Sequence, residues 1–262
     1  MKLISLNTWG GKCFDELMKF VEFHAPSTQV FCLQEILDTE ETDLIVMNEF
    51  RVNLLHELEK RLQGFSLFHS VYIEDSFVPG VSFGTVIFIK NGIDIIDNGD
   101  FFIHGANVNN LDGDDIDYPR KLQYIEFSSQ GNKYIICNVH GAWIPDTHKL
   151  DTPGRILQSK LIVDFIQKTK GKKILCGDFN LQPCTKSIEM IENTGMKNLI
   201  KQYKIESTRS SKKYDKPLKY ADYTFVSDDI AVNSFEVPDI PISDHLPMIL
   251  YFDSKVQEPF VQ

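Results

Sequence analysis

Eight polar residues stand at or beside the ends of short apolar runs: Asn7, Glu35, His140, Asp178, Asn180, Asp222, Asp244 and His245. Their types suit one chemistry. Carboxylate oxygens are hard donors that hold Mg²⁺ or Mn²⁺. Amide and imidazole groups donate to phosphate oxygens, and a histidine beside a carboxylate can act as a base. If the apolar runs are strands, their ends on one rim of a sandwich converge even where the sequence separates them widely. The set then has the ingredients of a divalent-metal phosphoryl-transfer site. Each residue alone has a plainer reading. Glu35 would be a solvated strand end, Asp178 in Gly-Asp-Phe-Asn an Asx turn, Asp244-His245 a cap, and His140 a core histidine. Their joint occurrence in this order argues against those readings.

The elements that must position them follow from periodicity. Lys2–Trp9 reads as a strand broken at Asn-Thr-Trp-Gly-Gly, and residues 14–24 have near-helical apolar spacing. Val30–Leu33 is a short strand ending at Gln34-Glu35, and residues 42–62 read as one long amphipathic helix. Strands are expected at 66–73 and 84–90, joined through Pro79-Gly80, and at 93–104. Residues 105–119 form a polar loop, and 121–127 with 133–139 a hairpin around Gln130-Gly131-Asn132. Thr152-Pro153 opens a helix to about Lys168. A strand at 172–176, a helix at 185–193 and strands at 223–226, 233–237 and 248–252 complete the chain. With no repeat or linker, the reading is one domain over 1–262, two sheets covered by helices, its last ten or so residues a tail.

The ordered motifs Leu6-Asn7-Thr8-Trp9, Gln34-Glu35, Asn138-Val139-His140-Gly141, Gly177-Asp178-Phe179-Asn180, Asp222–Ser227 and Ser243-Asp244-His245 resemble the endonuclease/exonuclease/phosphatase superfamily, the DNase I-like metal-dependent phosphoesterases. The resemblance implies an α+β fold, a four-layer α/β sandwich of two mostly antiparallel sheets with helices outside. It implies Glu35 as principal metal ligand, with Asn7 organising metal and phosphate and Asp244 near the metal. His140 would donate to a phosphate oxygen, Asp178 orient or activate water, and Asn180 steady the transition state. His245 would be a base or phosphate-binding group oriented by Asp222. Arg120 falls where many members carry an arginine ahead of the histidine strand, and is a substrate-binding candidate. His140-Gly141-Ala142-Trp143 replaces a frequent His-Leu pair. The glycine there permits close backbone approach, and Trp143 is either a pocket wall or a packing residue. The implied cofactor is Mg²⁺, with Mn²⁺ as alternative. Whether Asp178 or His245 is the base, and whether one metal or two are bound, stays open.

Composition bounds the rest. Apolar residues make up 42 % and charged residues 24 %, an ordinary globular balance. The net charge of −10 makes a poor non-specific nucleic-acid binder. Residues 201–219 run against it, with seven basic residues against Glu206 and Asp215, either a solvated loop or a patch for an anionic substrate beside Asp222. Residues 111–117 resemble a calcium loop in composition only and read as a solvated loop. Five cysteines without a C-x-x-C pair point to a reducing compartment. With no apolar window long enough for a signal core or membrane span, a soluble cytoplasmic protein without membrane partners is expected. The expected activity is hydrolysis of a phosphoester, foremost a phosphodiester, by in-line attack of water. A DNA or RNA nuclease or repair phosphodiesterase is the first alternative. A catalytically silent phospholigand-binding module is the second, and the presence of Glu35, Asp178 and His245 argues against it.

Overall fold

In chain order the elements are β1 (Lys2–Asn7), α1 (Phe14–His24), β2 (Val30–Thr39), β3 (Val46–Met47), β4 (Phe50–Arg51), α2 (Leu54–Arg61), β5 (Phe65–Ile73), β6 (Val81–Lys90), β7 (Asp94–His104), β8 (Arg120–Ser129), β9 (Asn132–His140), α3 (Pro153–Lys168), β10 (Lys172–Asp178), α4 (Lys186–Glu192), β11 (Lys197–Asn198), α5 (Leu199–Gln202), β12 (Asp222–Val226), β13 (Ile230–Glu236) and β14 (Met248–Ser254). The computed structural model describes residues 1–40, 46–74, 79–105 and 118–255. Two six-stranded sheets have the orders β13-β14-β1-β2-β6-β5 and β11-β12-β10-β9-β8-β7. Both are antiparallel except at the centre, where β1 pairs parallel with β2 and β9 with β10.

Strand alternation builds the layers. Along β1, Leu3 enters the cluster between the sheets, and Ile4 and Leu6 enter a second cluster with Leu17 and Val21 of α1 and Leu54 and Leu58 of α2. On the far side α3 buries Ile162 and Ile166. The result is helix, sheet, sheet, helix, the expected α+β sandwich. Polar residues tie the sheets together across the core: Gln34 Nε2 donates to Asn138 Oδ1 at 2.7 Å, and Asn138 Nδ2 to the carbonyls of Leu33 and Val86, each at 3.1 Å. Buried amides satisfied in this way fix how the two sheets face each other. All five cysteines are free, and all but Cys184 are buried.

The structure departs from the sequence reading in two places. β2 does not end at Glu35 but runs on to Thr39, with a register shift between Gln34 and Ile36 against β6. Glu35 is the extra residue of this bulge, at φ 58°. Alternation alone would send it to the helix-covered face with Phe31 and Leu33; the bulge re-aims it. The helix expected over 42–62 is confined to α2. Ahead of it β3 and β4 form a ribbon, because Asn48 and Glu49 both take positive φ, the geometry of a tight hairpin turn. Its first apolar residues, Leu44 and Ile45, lie outside the described residues. So do 106–117, with the calcium-like run, and 256–262 of the expected tail. Among the described residues no helix is long and apolar enough to cross a membrane.

Candidate active site

Register brings the site together. At the ends of the central strands Asn7 pairs with Gln34, and Asp178 stands level with both His140 and Asp222. Asp178 Oδ2 is the meeting point. It accepts from Asn7 Nδ2 at 3.0 Å and lies 3.6 Å from His245 Nε2 and 4.0 Å from His140 Nε2. Asn7 Nδ2 also donates to Glu35 Oε1 at 2.9 Å, and the Trp9 amide, donating to Asn7 Oδ1 at 3.0 Å, fixes which way the Asn7 amide points. Asp178 Oδ1 accepts from the Asn180 amide at 2.8 Å, while Asn180, at φ 52°, donates its Nδ2 to the Gly141 carbonyl at 3.2 Å.

Two glycines make this packing feasible. A Cβ on Gly177 would meet the Val139 carbonyl oxygen at 2.1 Å, and one on Gly141 the Phe179 carbonyl oxygen at 2.5 Å. The residue after His140 therefore has to be glycine here, which accounts for the departure from a His-Leu pair.

The two histidines carry opposite tautomers. His245 Nδ1 lies 2.9 Å from both oxygens of Asp222, so it holds a proton, and its Nε2 accepts from Arg209 Nη1. His140 Nδ1 is 2.6 Å from the Tyr72 hydroxyl. Burial, followed by the charges of Arg120, His245 and Lys149, holds His140 well below the usual imidazole range, so it is neutral. Its Nε2 faces Glu35 Oε1 at 3.9 Å as well as Asp178. Two carboxylates favour the proton on Nε2, leaving Nδ1 to accept from Tyr72, whose hydroxyl burial keeps protonated. One histidine offers a donor to the centre and the other an acceptor.

The donor set fits a hard divalent cation. Ligand atoms of Glu35, His140 and Asp178 lie within 4.8 Å of one another, as do those of Asp178, Asp222 and His245. Burial and then the carboxylates of Asp244 and Asp178 push Glu35 up to about 7, against the Asn7 hydrogen bond. Negative charge crowded into a buried site is relieved by a cation between the carboxylates. Burial likewise raises Asp222 to about 7 and lowers His245 to about 3.

The remaining expected residues are distributed unevenly. Asp244 belongs to neither ligand group; its Oδ2 pairs with Arg209 Nη2. Arg120 is buried, with Nε on the Gly141 carbonyl at 3.2 Å and its guanidinium 5.4 Å from the Tyr72 ring centre, so it braces the backbone after His140. Trp143 is 47 % exposed on the loop after β9. Three neighbours of the centre were not singled out by sequence: Tyr72, Lys149 and Arg209. Arg209 was visible only as one charge of the basic segment. A β-bridge to His245 and the Tyr214 ring, 3.9 Å from its guanidinium, hold it at the centre. Behind it the same segment, with Val237 and Asp239, lines a cleft of about 500 Å³ that includes Lys204, Lys216 and Lys219.

The model of the endonuclease/exonuclease/phosphatase family matches residues 4–245. No curated protein matches the sequence. Among solved structures, a mannosyl-6-phosphatase from Bacteroides thetaiotaomicron is 16 % identical, with 97 % of this chain and 99 % of that one covered and a TM-score of 0.72. A Beutenbergia cavernae endonuclease/exonuclease/phosphatase is 15 % identical over 97 % of this chain and 71 % of that one, at 0.75. The human Nocturnin catalytic domain with bound sulfate is 16 % identical over 97 % and 94 %, at 0.67.

Proposed function

The chain belongs to the endonuclease/exonuclease/phosphatase family, and on that premise we propose that it is a Mg²⁺- or Mn²⁺-dependent hydrolase that cleaves a phosphodiester by in-line attack of water. The observation that carries the reading is the convergence on Asp178 Oδ2 of Asn7, His140 and His245, with Glu35 on the same Asn7 amide. Glu35 and Asp178 would hold the metal, and His140, its Nε2 protonated, stands beside them as a donor. The metal, when bound, supplies charge neutralisation to a phosphoryl oxygen and the leaving oxygen.

The chain's own residues do the rest. The His140 Nε2–H donates to a non-bridging oxygen, and the amides of Asn7 and Asn180 hold further oxygens as charge shifts. Asp178 orients the attacking water. His245 Nε2, an acceptor because Asp222 holds the proton on Nδ1, takes the water proton once Arg209 yields that nitrogen to it. Trp143 stands exposed on the loop after β9 as a wall for the substrate's organic part. The cleft behind Arg209, within the usual size range of small-ligand sites, suits a substrate with a further anionic or polar group. The same lysines favour nucleic acid as the second reading.

The test is a panel of abasic and single-stranded DNA, inositol phosphates, sphingomyelin, nucleotide diesters and a chromogenic diester, each with Mg²⁺ or Mn²⁺. Turnover of a diester that chelator abolishes supports the reading. No turnover on any member sinks it, and activity confined to DNA moves it to a nuclease.

A further inference from the structure

The loop from Gly141 to Thr152 between β9 and α3 is built under strain. Asp146, His148 and Lys149 take φ of 59°, 50° and 57°, a conformation side chains other than glycine adopt at a cost. Arg155, fully buried in the first turn of α3, holds them there. Its Nε donates to the Ala142 carbonyl at 3.2 Å, and its Nη1 to Thr147 Oγ1 at 2.7 Å and the Leu150 carbonyl at 2.6 Å. From the other side the Gln182 amide donates to the Lys149 carbonyl at 2.9 Å. Asp151 ties the loop's end to the amides of Lys186 and Ser187.

What this arrangement achieves is the placement of one side chain. Lys149 is only 8 % exposed. Lys149 stands on the loop that follows His140 at the end of β9, and its charge is felt by Asp178, Asp222 and Asp244 and by both site histidines, so it lies beside the site. Yet among the described residues its ammonium has no hydrogen bond, and no carboxylate oxygen comes within ion-pair distance, 4.0 Å. The ammonium is reached by solvent rather than sealed in, while the stem is buried, so it is open to a partner that arrives from outside. The carboxylates of the site are engaged by Asn7, His245 and Arg209. The chemistry that suits this ammonium is an anion from outside.

We propose that Lys149 is a further catalytic residue, whose ammonium contacts the oxygens of the bound phosphoryl group. This deepens the phosphoesterase reading and rests on it for the identity of the anion's parent, though not for the anion itself.

The test uses Lys149→Met, which keeps the stem and removes the charge, beside Lys149→Arg. The readouts are binding of inorganic phosphate to the Mg²⁺-loaded full chain by calorimetry, kcat and KM on a small chromogenic diester, and Tm. Lys149→Met should weaken phosphate binding about tenfold or more and lower kcat/KM about a hundredfold, and its Tm should not fall. Lys149→Arg should recover part of both. A purely structural lysine would lower Tm and leave phosphate affinity intact. Unchanged phosphate affinity in folded Lys149→Met overturns the proposal, as does absence of phosphate binding to the wild type. If the wild type cleaves no phosphoester while phosphate binding still depends on Lys149, the anion site stands and the phosphoesterase reading fails.

Discussion

The two halves of the site are positioned by different means. Asn7, His140, Asp178 and Asp222 sit at the ends of β1, β9, β10 and β12, where strand register fixes each against its neighbour. Lys149 and Arg209 come from loops, held by positive φ and a buried arginine in one case and by a β-bridge and a tyrosine ring in the other. With Glu35, Asp178 and Asp222 the strand-borne half is rich in carboxylates and suited to a cation; Lys149 and Arg209 are cationic and suited to an anion. The half proposed to hold a metal thus sits on rigid elements. The half proposed to meet the substrate sits on segments that can differ without disturbing the sheets.

The largest effect that would sharpen the contrast comes from the strand half. Glu35→Gln keeps the Asn7 contact and the bulge but removes a ligand charge, and turnover with Mg²⁺ should fall about a thousandfold or more, as for loss of a principal electrostatic group. Turnover within tenfold of wild type would take Glu35 out of the metal site.

Next is the dyad. Asp222→Asn removes the group that holds the proton on His245 Nδ1, and kcat should fall on the order of a hundredfold or more. Burial raises Asp222 to about 7, so the pair takes up an extra proton below that pH and the acidic limb of the wild-type pH–rate profile should lie there. In the variant burial leaves His245 low, and the limb should move toward lower pH. An unmoved limb would uncouple the two residues.

A third expectation concerns stability without metal. Glu35 has a folded value of about 7 against an ordinary 4.5. The folded state therefore binds the extra proton, and the stability it brings is present below about pH 4.5 and lost as pH rises through 7. The loss is up to about 3 kcal/mol, or several degrees in Tm. The Asp222–His245 pair adds little, because folded and unfolded states both carry one proton on it over most of that window. Buried neutral His140 acts in the opposite direction in both proteins, so the Glu35 contribution is read as a difference: in chelator, the Tm of the wild type relative to Glu35→Gln should fall between pH 5.5 and pH 8, and Mg²⁺ should remove that fall. A constant difference in chelator would mean the carboxylates are not crowded.

The smallest effect tests the loop half. Alanine at Lys212, Lys213 and Lys216 should flatten the log–log salt dependence of oligonucleotide binding by up to roughly 2–3 units if the segment tracks a polyanion, and leave a small diester nearly unaffected. Parallel salt curves would make the segment solvated surface and favour small substrates.

The same division explains what the sequence revealed. Asp178 and His140 are readable because each follows an apolar run whose period gives its end, and Asp222 because it opens one. Thr152-Pro153 marks the start of α3 by its own chemistry, with Thr152 accepting the Arg155 amide. Glu35 was readable by type but not by placement, since a bulge leaves no mark on period-two alternation until its partner strand is known. The helix expected from 42 failed because apolar spacing outweighed the turn signal of Asn48. Lys149 is one of 27 basic residues; what distinguishes it is burial beside the site on a loop clamped by Arg155, not visible in composition or spacing. Arg209 meets His245 only through a bridge between distant segments.

The central claim is that the strand-borne carboxylates hold a divalent metal for phosphoester hydrolysis. Its most direct test is calorimetric titration of Mn²⁺ into wild-type protein and Glu35→Gln, both checked for folding, with the chromogenic diester assayed on the same samples. The account predicts saturable binding in the wild type that tracks turnover, and loss of both in the variant. Equal Mn²⁺ affinity in the two proteins, or full turnover by metal-free wild type, would contradict it.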